Sequence, residues 1–148
     1  MYKQVIYVGV IAALLILNGC SGPSDLEFRR VSNVKLSMAG KPKVSADLVL
    51  YNPNRMAIEL RSADLDIRVD GKSAGKVNQT FQLKLPKQSE FVLPVEVILS
   101  LKESGLLGSF LGMVNGKPLK VEFEGDVKVK IKSIPASVKV FHIEEIKL

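Results

Sequence analysis

One cysteine, one histidine and a few spaced aspartates are the residues from which chemistry could be built in this chain. Cys20 is the only cysteine, so no intrachain disulfide can form. A zinc site of paired Cys and His spacing is missing for the same reason. His142 could act as a base, but a triad needs an activated nucleophile beside it. No nucleophile elbow is expected to supply one, and a strand surface or rim is the expected place for His142. Asp64, Asp66 and Asp70 carry the oxygen ligands that calcium prefers. An EF-hand loop counted from Asp66 would need Asp or Asn at its third position; the chain has Arg68 there, and no glutamate closes the loop. The outward phase of a strand explains these aspartates better. An enzyme is therefore not expected, nor a resident metal or other cofactor.

The elements that hold these residues read as strands. Val44, Ala46, Leu48 and Leu50 alternate with Ser45, Asp47, Val49 and Tyr51, the period of a half-buried strand. Asn52-Pro53-Asn54 ends it, since proline lacks a donor and asparagine caps turns. Leu65, Ile67 and Val69 then alternate with Asp64, Asp66, Arg68 and Asp70, and Asp70-Gly71 closes a hairpin. With these two, strands are predicted over 31–37, 43–51, 58–69, 74–78, 81–85, 91–99, 119–132 and 138–146. A bulge or phase shift is expected at Arg61-Ser62-Ala63. Pro94 points to an edge strand or a bulge. Gly125 falls in the inward phase, which marks a bend or a close backbone approach. Residues 101–114 are the exception: Leu106, Leu107, Phe110, Leu111 and Val114 form a helical stripe. Gly108 and Gly112 in it suggest close packing on a sheet. Many short strands with regular turn signals predict one all-β sandwich of about seven antiparallel strands with a single short helix.

Taken in order, Asn52-Pro53-Asn54, the strand with alternating acidic positions, and Asp70-Gly71-Lys72 followed by Gly75 resemble the late embryogenesis abundant group 2 domain. That domain is also known as the water-stress and hypersensitive-response (WHy) domain. The resemblance extends from about Val31 to Ile146. It implies an immunoglobulin- or fibronectin III-like β-sandwich, a role in desiccation or stress protection, and no enzyme activity. In its terms Asn52, Pro53 and Asn54 are a structural turn, and Asp70, Gly71 and Gly75 a hairpin motif.

The N-terminus reads as an address. Lys3 precedes an apolar run, Val5–Leu17, shorter than the roughly 18–20 residues of a membrane span. Leu17-Asn18-Gly19-Cys20 resembles the lipobox of bacterial lipoproteins, whose cysteine is acylated after cleavage before it. The expected organisation is a lipoprotein signal peptide at 1–19, a lipidated cysteine and tether at 20–30, and the β-sandwich domain at 31–148. The expected location is the cell envelope, at the periplasmic face of the outer membrane if the source is Gram-negative, since Ser21 resembles a sorting signal.

The formal net charge is +6, with lysines 120, 128, 130, 132 and 139 on or beside one strand. Such a ladder either blocks edge aggregation or attracts an anionic surface. No aromatic platform interleaves with it, so nucleic acid is not an expected partner. The expected partners are the membrane through acylated Cys20, and protein clients or an anionic envelope surface. The functional expectation is a non-enzymatic envelope lipoprotein with a stress-protective or macromolecule-binding role. Its alternatives are an apolar-ligand module lidded by residues 101–114, and an accessory subunit of an envelope assembly.

Overall fold

A computed structural model of the chain describes residues 25–102 and 105–147. The leader, the lipobox and Cys20 lie outside the described residues. The elements are β1 (Glu27–Ser37), β2 (Lys43–Asn52), β3 (Ile58–Val69), β4 (Lys72–Leu85), β5 (Ser89–Ile98), α1 (Leu107–Val114), β6 (Leu119–Ile131) and β7 (Ile134–Ile146). They form two sheets, β1-β2-β5 and β4-β3-β6-β7, with every pairing antiparallel. The inward residues of both sheets meet in one core that includes Leu48, Leu50, Leu60, Ile67, Leu93, Phe123 and Val127. Each such buried aliphatic or aromatic side chain stabilises by about 1.5–3 kcal/mol relative to exposure. The all-β sandwich expected from the alternation is the fold observed.

Alternation places the inward face of β2 correctly, since Val44, Ala46, Leu48 and Leu50 are all buried, but Val49, in the outward phase, is buried as well. In β3 the phase slips where expected. Leu60 pairs with Val129 and Ser62 with Lys128, so Arg61 is an extra residue against β6. Leu60 and Ala63 are buried on either side of that bulge. Pro94 does sit on an edge strand, because β5 is the last strand of its sheet. Gly125 lies opposite Leu65. A Cβ there would collide with the Asp64 carbonyl oxygen and stand 2.8 Å from Leu65 Cα, so only glycine allows β6 to approach β3 so closely.

Four expectations need correction. β1 begins at Glu27, and Leu26 is buried, so the last residues of the expected tether belong to the sandwich. The cause is pairing: Glu27 and Phe28 lie opposite Tyr51 and Leu50 of β2. The separate strands expected at 74–78 and 81–85 are one strand, β4, whose register against β3 shifts twice. Those bulges disguise the period. Leu83 is exposed on β4, the edge strand of the wider sheet. β7 starts at Ile134 and includes Pro135, which an edge strand tolerates. Finally, α1 is eight residues long and buries Phe110 and Met113 with Leu106 before it, while Leu107, Leu111 and Val114 are 57–72% exposed. Gly108 meets nothing within 4 Å, and Gly112 meets only the Lys117 side chain, so these glycines do not seat the helix on a sheet.

Candidate functional site

The turn after β2 is organised by one buried side chain. Asn52 is 1% exposed. Its Nδ2 donates to the carbonyls of Met56 (2.9 Å), Pro86 (2.8 Å) and Leu85 (3.3 Å). Its Oδ1 accepts from the Asn54 backbone N–H at 3.0 Å and from Asn54 Nδ2 at 3.2 Å. The Asn54 carbonyl in turn accepts from Gln88 N at 3.1 Å. The Asn52–Asn54 segment thus ties the end of β2 to the β2–β3 and β4–β5 connections. The Asn52 side chain is spent on backbone groups and on Asn54, and its work is structural.

Asp70 and Gly71 form a two-residue turn between Val69 and Lys72, with φ of 48° and 78°. Both positive values match the mirror-image turn that suits strand twist. Asp70 also accepts from Lys120 N at 3.1 Å and donates its own N–H to Lys120 O at 2.9 Å. Gly75 plays another part: a Cβ on it would stand 2.7 Å from Val97 Cγ2 and 3.1 Å from Ile98 O. It lets β4 of one sheet pass close to β5 of the other.

The spacing Gly71-Lys72-Ser73-Ala74-Gly75 matches that of a nucleophile elbow, which the sequence reading passed over. The elbow needs a sharp strand-to-helix turn. Here the segment is a hairpin turn running into β4, so Ser73 lacks that setting. His142 is half-buried on β7, its Nε2 2.9 Å from Glu144 Oε2 and its ring tilted against Phe123 at 6.4 Å. Among the described residues no group of three or more His, Cys, Asp or Glu could hold a metal ion.

The outer face of the four-stranded sheet carries the spaced aspartates and much of the lysine ladder. Asp64 pairs with Lys128 at 3.1 Å, Asp66 with Lys76 at 3.1 Å, and Asp126 with Lys139 at 3.1 Å. Arg68 bridges Glu122 and Glu124, each at 3.4 Å. The Lys128 ammonium, donating to Asp64, holds that carboxyl below its usual range; partial desolvation opposes this and the Ser62 hydroxyl assists it. The face is a lattice of alternating charge, not a calcium loop and not a uniform basic strip. Exposed pairs of this kind are screened by water and add little to stability, so solubility and register are their main effects.

On the outer face of the other sheet, a recess of about 360 Å³ is lined in part by Asn33, Lys35, Ser45, Asp47 and Glu96. Polar walls of this kind suit water and ions better than an apolar ligand. The exposed row Leu107, Leu111 and Val114 on α1 is the apolar surface that sequence reasoning had placed inside. No helix among the described residues is long and apolar enough to cross a membrane.

Several solved structures share this fold at low sequence identity. A solution structure of an Arabidopsis thaliana protein aligns with a TM-score of 0.67 at 15% identity, covering 88% of this chain and 89% of that one. A solution structure described as a candidate late embryogenesis abundant (LEA) protein aligns at 0.55 and 14%, covering 99% and 86%. A crystal structure of a protein from Archaeoglobus fulgidus aligns at 0.57 and 12%, covering 82% and 98%. No curated protein matches the chain in sequence. The family model for late embryogenesis abundant protein, LEA_2, matches residues 47–140. That span runs from the middle of β2 into β7, through the Asn52 turn, the Asp70-Gly71 hairpin and the paired outer face, and it places this chain in the LEA_2 family of late embryogenesis abundant proteins.

Proposed function

We propose that the chain is a non-enzymatic envelope lipoprotein, held in a membrane through acylated Cys20, whose WHy-type sandwich protects other macromolecules under water stress. The observation that carries this reading is the LEA_2 match over residues 47–140. The family is generally non-enzymatic. Leu17-Asn18-Gly19-Cys20 behind an apolar run supports the anchor. The ion-paired outer face supports a hydrated shield, since dense charge of both signs holds water and resists self-association. Two measurements test it. A labile enzyme dried or frozen with the purified protein should keep more activity than with an equal mass of albumin; equal recovery counts against protection. Intact-mass spectrometry of the membrane fraction should show acylated Cys20 as the first residue.

One observation favours a second reading. Leu107, Leu111 and Val114 form an exposed apolar row on α1, which suits an accessory subunit that contacts a protein partner. Crosslinking from α1 in cells that recovers only the monomer would sink it.

A further inference from the structure

We infer that one end of the sandwich, the end bearing the β2–β3, β4–β5 and β6–β7 connections, is a cationic face that seats on the anionic lipid headgroups of the bilayer holding the chain. The inference rests on the Cys20 anchor for its direction and on the charges below for its chemistry.

Each of those three connections presents an exposed basic residue: Arg55, Lys87 and Lys132. Lys84, exposed near the end of β4, joins them. Among the described residues none of the four has an ion-pair partner. The other arginines at this end are neutralised: Arg29 by Glu27, Arg30 by Glu90 and Arg61 by Glu59. On the outer sheet face Lys128, Lys76 and Lys139 are neutralised by Asp64, Asp66 and Asp126, while Lys130, near the same end as Lys132, has no ion-pair partner among the described residues. At the opposite end, Lys41, Lys72, Lys102, Lys117, Lys120 and Lys147 stand with Asp70, Glu144 and Glu145, so both signs mix there. Unpaired lysines thus stand at both ends, but at the end with the three connections Asp25 alone opposes the unpaired positive charge among the described residues. Ile134, 61% exposed, lies beside Lys132 and adds an apolar side chain among the cations, a mixture that suits a headgroup layer.

The chain path gives the direction. Glu27, the first residue of β1, lies opposite Tyr51, at this same end. Leu26, which is buried, lies six residues on from Cys20, and that stretch fully extended reaches at most about 22 Å. The strands run 10–14 residues away from that end, roughly 33–47 Å. An anchor at Cys20 thus keeps the cationic end near the bilayer. The far end, with α1, cannot face the bilayer end-on, because the tether is shorter than the sandwich. Charges held within about 8 Å of an anionic surface act on it at physiological salt, each favouring contact on the order of fivefold.

The chain contains no tryptophan, so a single one reports position without background. The full chain carrying Ile134→Trp or Val114→Trp would be reconstituted through its own anchor into phosphatidylcholine vesicles, with or without phosphatidylglycerol. A dansyl headgroup lipid serves as energy-transfer acceptor. Transfer from the Ile134→Trp reporter should rise at least about twofold with anionic lipid and exceed that from Val114→Trp. It should fall to the neutral-vesicle level at about 0.5 M salt, where screening is nearly complete. The same fall is expected when Arg55→Glu, Lys87→Glu and Lys132→Glu are combined, with circular dichroism verifying the fold. Equal transfer from both reporters, or transfer at Ile134 indifferent to lipid charge, salt and charge reversal, overturns the inference. Stronger transfer from Val114→Trp overturns it in favour of α1. Intact mass on the same sample reads Cys20 separately. An unmodified thiol removes the anchor, while the lipid-charge dependence of the two reporters in vesicle-bound protein still decides the cationic face.

Discussion

At the scale of single residues, the most consequential side chain is Asn52. It satisfies three carbonyls and one backbone N–H in a buried place, where unpaired polar groups cost about 1–3 kcal/mol each. Asn52→Ala should therefore lower stability by on the order of 3 kcal/mol, read as a shift in urea midpoint with little change in slope. A loss of a few tenths would mean that water replaces the side chain. Asp64 offers a pH test with a defined sign. Its carboxyl is held below the ordinary value by Lys128, so the folded state binds this proton more weakly than the unfolded chain. The pairing thus stabilises above the unfolded value of about 3.9 and is lost as pH falls through the lower folded value. Lys128→Met should move the Asp64 titration, followed by carboxyl carbon NMR, upward toward the ordinary range. An unmoved curve would show that Ser62 or another group holds it.

Among the elements, α1 separates what the sequence tells from what it hides. Six apolar residues in the nine positions 106–114 announce a helix, but they cover too much of its circumference to say which face is buried. The structure buries Phe110 and Met113 and leaves Leu107 and Leu111 outside. Phe110→Ala should cost about 3–5 kcal/mol, and Leu111→Ala should lie within about 0.5 kcal/mol of the parent. Equal losses in thermal or urea unfolding would contradict this orientation. The strands were legible for the opposite reason. In β2, and in β3 beyond its bulge, a period of two leaves a single choice of face. β4 was not, because its two register shifts depend on where β3 lies, and an alternation scan contains no partner strand. The charged face was half legible. Outward acids on β3 and outward lysines on β6 are visible in sequence, but their pairing joins residues such as Asp64 and Lys128 that only the fold brings together.

For the whole molecule, the domain begins earlier than the first clear apolar alternation. A chain starting at Val31 would lose Leu26 and the pairing of Glu27–Arg30 with β2, and should be destabilised by several kcal/mol relative to one starting at Ser21. Indistinguishable melting of the two would show that these residues only lie along the sheet. The topology also has a temporal side. β3 finds β4 across a two-residue turn, but its other neighbour, β6, arrives about fifty residues later in the chain. Likewise β2 must wait for β5, with the whole β3–β4 hairpin made between them. Such distant pairings place this sandwich among slow folders, on the order of milliseconds to seconds. During that interval β3 is an open edge. Its outward Asp64, Asp66 and Arg68, which later enter the ion-pair lattice, then serve as gatekeepers that keep one nascent chain from pairing with another.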